Sequence, residues 1–349
     1  MKKKIYIVGI GGRTGVMFGR ELQEACDIIG VGMNREIKAL NSGKINVRRA
    51  GHLPENFCAK AVLPDDFLAQ AGKKYPDFIW MAIRNPVAEA VEFYYRNFKG
   101  KENIPALVLS QNGLSAINDA KAGLVRALGP DAERVQIVRV SLINGVDMKI
   151  EDGAIFDSAG VAAHRSGMAE ISYKTPIKLG FGTISGQSDD FKKIMRDGQI
   201  KFQEFKGADV LKMENSKLFT NLIGMAAAVR GLSVSAGLLD KNVFKEEAAM
   251  LREYVLAVKK SGGGFVADFC GYPINFLAGI MLLPPALLVP LRAIFERVVA
   301  KGRNRPKDLS EIDYYNGEAV KLGKQAGMLT PVNERIVAAA KKILKNREP

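Results

Sequence analysis

Ile5-Tyr6-Ile7-Val8-Gly9-Ile10-Gly11-Gly12-Arg13-Thr14-Gly15 decides the fold of this 349-residue chain. Four apolar, largely β-branched residues read as a buried parallel strand. The glycines turn the chain, and Val16 to Ala25, with Phe18, Leu22 and Ala25 on one face, predicts a helix. Strand, glycine turn and helix in that order make a dinucleotide-binding unit. Gly9 permits the tight turn. Gly11 lets the backbone approach a pyrophosphate. Gly12, Arg13 and Thr14 lie in the turn before the helix, whose free N–H groups and positive dipole end attract phosphate. The third glycine of the usual spacing falls on Thr14, with Gly15 one later. Either the loop is one residue longer or Thr14 takes the third place. A plain glycine turn is the bland alternative.

Downstream, Ile28–Met33, Asp77–Ile83 and Ala106–Leu109 predict further strands, and Ala88–Phe98 predicts a helix between the last two. Alternation of this kind implies βαβ units and a parallel sheet. Val135–Leu142 and Ala154–Phe181 read as strands that extend the sheet at one edge. From about residue 205 the pattern turns helical, over Lys212–Val229, Glu246–Lys259, Leu291–Val299, Glu311–Gln325 and Asn333–Leu344. The fold class expected is therefore α/β: a Rossmann-like, doubly wound sheet over 1–205, then an all-helical domain over 206–349.

The second strand ends at Asn34-Arg35. An NAD site places Asp or Glu near here to accept from ribose hydroxyls; the first acid is Glu36. Asn34 and Arg35 offer donors and positive charge, which suits the 2′-phosphate of NADP(H). The bland alternative makes Arg35 a solvated loop charge. Arg84 and Asn112 follow later strands at the same sheet edge, where ligands of such folds bind. Each could equally serve a turn.

Lys+Arg 51 against Asp+Glu 37 gives a net charge of +14. That surface attracts anions without choosing among nucleotides, carboxylates, nucleic acid or acidic lipid. The cations are dispersed, and no nucleic-acid motif is present. Cys26, Cys58 and Cys270 are too scattered for a disulfide framework, so a reducing cytoplasm is the expected location. His52 and His164 have no clustered ligand partners, and no metal site is expected. Met1-Lys2-Lys3-Lys4 resembles the start of a signal peptide, but the apolar run after it is too short. Phe269–Leu291 carries no charge and is long enough to span a bilayer. Pro273, Pro284, Pro285 and Pro290 argue against a membrane helix. Buried core or a homodimer interface is the expectation.

Lys217 and Asn221 stand at i and i+4 of a helix, so both project from one face. Together they could donate to a substrate oxygen; a snorkelling surface lysine is the bland alternative. Ser310 with Asp313 reads as a capping box, which would put Glu311 in a first helical turn.

Taken together, the glycine turn, Gln111-Asn112-Gly113, Lys217 with Asn221, Glu311-Ile312-Asp313-Tyr314-Tyr315-Asn316-Gly317 and Thr330-Pro331-Val332-Asn333 resemble the ketopantoate reductase (2-dehydropantoate 2-reductase) family. The resemblance runs in order from about Ile5 to Leu344. It implies a Rossmann domain, a helical domain, a cleft between them, and hydride transfer from NADPH to the ketone of 2-dehydropantoate on the route to pantothenate. It implies Lys217 as the catalytic lysine and Asn112 as a residue that helps hold nicotinamide and lysine. Asn221 would be a substrate-binding amide, and Glu311 the acid that binds a substrate hydroxyl or the cofactor side. Four departures accompany it. The glycine spacing is irregular. Gly224 and Met225 stand where the family has a second helix asparagine. Arg84 replaces a loop lysine. Gly302-Arg303-Asn304-Arg305-Pro306-Lys307 stands near the place of a serine-bearing stretch.

The first functional reading is NADPH-dependent reduction of a small 2-oxo acid, 2-dehydropantoate foremost. The alternative within the fold is another 2-oxo acid or ketone, because lost hydrogen-bond partners alter specificity. A non-catalytic nucleotide or nucleic-acid binder ranks behind both.

Overall fold

A computed structural model describes residues 2–71, 75–143, 145–150, 154–156, 162–164, 169–299 and 304–346. The chain forms two compact units, Met1–Gln111 with Ala116–Gly207, and Asn112–Ser115 with Ala208–Pro349. The short segment Asn112–Ser115, read from sequence as part of the first domain, is thus grouped with the helical unit.

In the first unit an eight-stranded sheet is built from β1 (Lys4–Val8), β2 (Asp27–Val31), β3 (Lys60–Val62), β4 (Phe78–Met81), β5 (Ala106–Leu109), β6 (Ile137–Leu142), β7 (Lys178–Ser185) and β8 (Lys201–Phe205). The spatial order is β8-β7-β6-β5-β4-β1-β2-β3. Strands β1 to β6 run parallel. β7 pairs antiparallel with β6, and β8 parallel with β7. The central strands are buried along their whole length, as β4 (Phe-Ile-Trp-Met) and β5 (Ala-Leu-Val-Leu) show. Helices cover such a sheet on both faces, which explains why these strands read as continuous apolar runs. Trp80 of β4 is fully buried and meets Phe18 of the first helix at 4.2 Å between ring centroids.

Part of the chain expected to extend this sheet does otherwise. Ala154–Phe156 and Ala162–His164 form a separate antiparallel pair. Ala169–Tyr173 lies in a second, four-stranded sheet beside Ile45–Arg49, Val146–Ile150 and, at its edge, Glu55–Asn56. Residues 157–161 and 165–168 of the expected strands lie outside the described residues. The second sheet is tied to the first helix by charge. Arg20 makes a two-bond contact with Glu55, Arg49 reaches both Glu55 and Glu21, and the Tyr173 hydroxyl donates to Glu21 at 2.8 Å. The Arg20 hydrogen bond holds the Glu55 carboxyl below the usual carboxylate range. Ala169–Tyr173 alternates buried and half-buried residues, but its pairing with Ile45–Arg49 joins distant segments, which a local pattern does not state.

The second unit consists of helices, joined by turns, among the described residues; its one strand-like feature is an isolated bridge between Phe269 and Tyr272. The expected helix over 212–229 is two helices, Ala208–Leu222 and Met225–Ala228, separated by Gly224 at φ +94°. No single described helix is long and apolar enough to cross a membrane. In the apolar stretch, Ile274–Ile280 and Pro285–Val299 meet at a bend of 117°. Ile274, Leu277, Ala278, Met281, Leu288 and Val289 are buried there, while Phe276, Leu283 and Leu287 are exposed. The stretch is half core and half surface. Cys26, Cys58 and Cys270 form no disulfide with one another, and burial pushes the Cys26 thiol up to about 11.

Candidate functional site

In the first unit, the turn after β1 places each glycine differently. Gly9 sits at φ +83°, and a Cβ there would lie 2.9 Å from the Ala82 carbonyl oxygen. Gly12 is the N-cap of helix Arg13–Leu22. A Cβ on Gly15 would come within 2.2 Å of the Gly9 carbonyl oxygen. Gly15 therefore takes the third-glycine role of close helix–strand packing, and Thr14 does not. The working spacing is Gly9-x-x-Gly12-x-x-Gly15. A Cβ on Gly11 would meet the Glu36 side chain at 2.6 Å, so this position too has no room for a side chain. The helix start carries no acid in its first turn. Together with its uncapped N–H groups, this suits an anionic phosphate.

Asn34 begins the next helix, Asn34–Asn41, and is exposed; Arg35 beside it is half-buried. Glu36 folds back, so that its carboxylate accepts from the Met33 N–H at 2.7 Å and lies against Gly11 and Gly32. Sequence counting set Glu36 aside as too late. The helix turn brings it to the end of β2, beside the glycine turn. Arg84 follows β4, and the strand ends there are locked together. The Gln111 amide donates to the carbonyls of Met81 (2.9 Å) and Ile83 (3.2 Å), and the Ser110 hydroxyl donates to Met81.

In the second unit, Lys217 lies two-thirds along Ala208–Leu222, on a helix whose buried face is unusually polar. Glu214, Asn215 and Ser216 are all buried. The Asn215 amide donates to the Gly264 carbonyl, the Val266 N–H donates to the Ser216 hydroxyl, and the Tyr254 hydroxyl donates to the Asn215 carbonyl. These bonds fix the helix in rotation, because buried polar groups tolerate few alternative placements. Lys217 is half-buried, one turn before Asn221 on the same face.

Asn221 leads into a closed polar cluster. Its amide donates to Asn112 Oδ1 at 3.0 Å. The Asn112 amide donates to Glu311 Oε2 at 3.0 Å and to the Tyr315 hydroxyl at 3.1 Å. The Tyr315 hydroxyl donates to the same Glu311 oxygen at 2.7 Å. Asn112, Asn221 and Glu311, singled out from sequence, thus converge. Tyr315 was missed, although its place four residues after Glu311 was a usable signal. Lys307 was noticed but given no role. Its ammonium donates to the Asn221 carbonyl, near the end of the lysine helix, and lies 5.5 Å from the centre of the Tyr315 ring.

The expected capping box does not form. Residues Ile312–Tyr314 are a short 3-10 turn with Glu311 before it, and the helix begins at Asn316. Asp308, not Asp313, organises Ser310, by accepting from its N–H at 2.9 Å. An irregular turn frees the Glu311 carboxylate to face Asn112 instead of the helix end.

At Gly224, φ is left-handed and a Cβ would meet Val234 at 2.6 Å. An asparagine there would need both strain and displacement. The break is held by Glu247, buried on helix Lys241–Lys260, whose carboxylate accepts from the N–H groups of Gly224 and Ala226. Burial pushes this carboxyl up to about 7, against the downward pull of those two donors and of Lys307. The folded chain therefore holds a proton that the unfolded chain releases at lower pH. Raising the pH from the ordinary carboxyl range through about 7 should lower stability by about 3 kcal/mol. Thermal midpoints of the wild type and Glu247→Gln, measured across that range, check this: the variant should lose most of the slope, and an unchanged slope would refute it.

Among the described residues no group of His, Cys, Asp and Glu could hold a metal ion.

Residues 299–344 match the family model described as the C-terminal domain of ketopantoate reductase PanE/ApbA. No curated protein matches the chain. The fold is that of solved ketopantoate reductases. The structure of a family member from Ralstonia eutropha JMP134 aligns with TM-score 0.71 at 13% identity, over 99% of this chain and 100% of that one. 2-Dehydropantoate 2-reductase from Geobacter metallireducens GS-15 aligns with TM-score 0.65 at 16% identity, over 97% and 99%. D-mandelate dehydrogenase, in a ternary structure with NADH and anilino(oxo)acetate, aligns with TM-score 0.67 at 11% identity, over 98% of each chain.

Proposed function

We propose that this chain is a nicotinamide-dependent reductase of small 2-oxo acids, with NADP(H) as cofactor and 2-dehydropantoate as the first substrate to assay. The observation that carries the reading is the cluster that Asn112, Glu311 and Tyr315 form with Asn221, which stands one turn after Lys217 on the same helix. The glycine turn with its acid-free helix start fits the pyrophosphate of a dinucleotide, held by Gly9, Gly12, Arg13 and Thr14.

When bound, the reduced nicotinamide supplies the hydride. The chain's residues do the rest. As hydride reaches the carbonyl carbon, electrons move onto the ketone oxygen, and a positioned acid must meet them. Lys217 donates that proton. The Asn221 amide orients the substrate, and Asn112, held by Glu311 and Tyr315, fixes the Asn221 amide in turn. Glu311 takes a substrate hydroxyl where one is present. The basic surface draws in an anionic substrate and cofactor. The chemistry requires no metal, and we place the enzyme in the cytoplasm.

Steady-state NADPH oxidation with 2-dehydropantoate and a panel of 2-oxo acids tests the proposal. Absence of turnover with every one of them would reject it. Gly224 and Met225, in the region where the resembled family has a second helix asparagine, favour a second reading in which the substrate is a different 2-oxo acid or ketone, and the same panel separates the two.

Cofactor choice pits Arg35 against Glu36. A 2′-phosphate would gain from the guanidinium and suffer from the carboxylate. Arg35→Ala should lower the NADPH-over-NADH preference in kcat/KM by about 10- to 100-fold. Glu36→Gln, which keeps the acceptor for Met33, should raise it. Movement of both variants in the same direction would take this turn out of cofactor selection.

A further inference from the structure

The bent helix pair of the second unit presents a surface that the chemistry above does not use. From Leu283 to Val298 every exposed residue is apolar except Arg297. Phe276 on the first helix, Leu283 at the bend, and Leu287, Leu291, Ile294 and Val298 on the second are each 46% to 66% exposed. The last four follow one another at intervals of four, three and four residues, so they form one stripe along Pro285–Val299. Leu288 and Phe295 of the same segment are buried. The segment is therefore apolar on both sides. A surface helix ordinarily turns charged and polar residues to solvent, and a contiguous apolar face of this kind marks a contact site.

Charge identifies what the face contacts. A specific protein interface carries about ten hydrogen bonds and a polar rim. This helix face offers one exposed polar side chain, and it is a cation. Arg292 and Arg252 stand by the same pair, donating to the carbonyls of Val289 at 3.2 Å and Leu282 at 3.1 Å. Glu296, the one acid of the second helix, accepts from the Ser235 hydroxyl. Asp268, the acid before the uncharged stretch, accepts from the Gly271 N–H at 2.9 Å. With a net charge of +14, a second copy would bring like charge to like charge, whereas anionic lipid headgroups supply the opposite sign. The bend of 117° rules out a straight span, but an apolar pair bordered by arginines can lie in the plane of a bilayer surface.

We propose that the bent pair is a surface anchor for an anionic lipid bilayer. The outer apolar side chains enter the boundary between headgroups and acyl chains, and Arg297 meets the phosphates. No helix crosses the membrane. The anchor is independent of the reductase reading.

The test is co-sedimentation of the full chain with phosphatidylcholine vesicles, with and without about one-third phosphatidylglycerol, at low salt and at about 0.5 M salt. Wild type, Arg297→Gln and the double variant Leu287→Gln with Ile294→Gln are compared. All three positions are exposed, so the fold should tolerate the changes. We expect wild type to bind the anionic vesicles and to weaken in high salt. The double variant should bind about 30-fold more weakly, and Arg297→Gln about fivefold more weakly. Equal binding to uncharged vesicles, or a double variant that binds like the wild type, would overturn the proposal. Sedimentation without lipid gives the mass of each form. A wild-type dimer that the double variant dissolves would also overturn it, because the face would then belong to a second copy.

Discussion

Lys217→Ala should lower kcat for 2-oxo acid reduction by about 10³-fold, with the Kd for NADPH held within about threefold. The expectation follows from where the charge develops. A general acid contributes 10² to 10⁴ in rate, and a stabilising cation at the same oxygen adds to that. Lys217 would supply both, and alanine supplies neither. The helix should survive the change. Its rotation is fixed by the hydrogen bonds of Asn215, Ser216 and the Tyr254 hydroxyl, which the substitution leaves unchanged in sequence. The nucleotide turn belongs to a different folded unit, so cofactor affinity has no reason to fall in parallel. Single-turnover kinetics with pre-bound NADPH give the chemical step directly, and added methylamine should restore part of the rate by filling the space of the lost ammonium. A Lys217→Ala enzyme that turns over like the wild type would remove this lysine from the reaction.

What the sequence made legible divides along physical lines. The glycine turn could be read because glycine's conformational freedom is visible in the residue itself. Even so, the roles of Gly11 and Gly15 depended on what packs against them, and spacing does not state that. The Lys217–Asn221 pair could be read because helical periodicity fixes which side chains share a face. Glu311 was found for a partly wrong reason. It was placed in a helical turn, whereas its carboxylate is available because residues 312–314 form an irregular turn. Tyr315 and Lys307 stayed hidden because their roles arise from contacts with Asn112 and Asn221, roughly 90 to 200 residues away. The second sheet escaped for the same reason: Ile45–Arg49 pairs with Ala169–Tyr173 across more than 100 residues. Local pattern carries local structure, and these features are non-local.

The segment that looked most specific, 311–333, turns out to hold two kinds of residue, and its second half sets the other large effect. Asn333→Ala should destabilise the protein by about 3–4 kcal/mol, seen as a fall of about 5–10 °C in the calorimetric midpoint. Asn333 is fully buried. Its amide donates to the Met250 carbonyl at 3.0 Å and to Glu253 at 2.8 Å, and its oxygen accepts from the Asn316 amide at 2.9 Å. Glu253 also accepts from the N–H groups of Val332 and Asn333, capping helix Pro331–Lys345 where Thr330 provides no side-chain cap. Alanine would leave the Met250 carbonyl and the Asn316 amide short of partners in a buried place, and unmet buried groups cost more than a made bond gains. The same network fixes Asn316, the residue after Tyr315, so the variant should also loosen the hydroxyl that Asn112 and Glu311 share. A double-mutant cycle with Asn316→Ala tells whether the two amides act as one unit. The double variant should lose clearly less than the two single losses combined, because removing both leaves no orphaned donor facing an orphaned acceptor. Strict additivity would mean that each asparagine docks its own helix independently, and the link from this buried pair to the site would be lost.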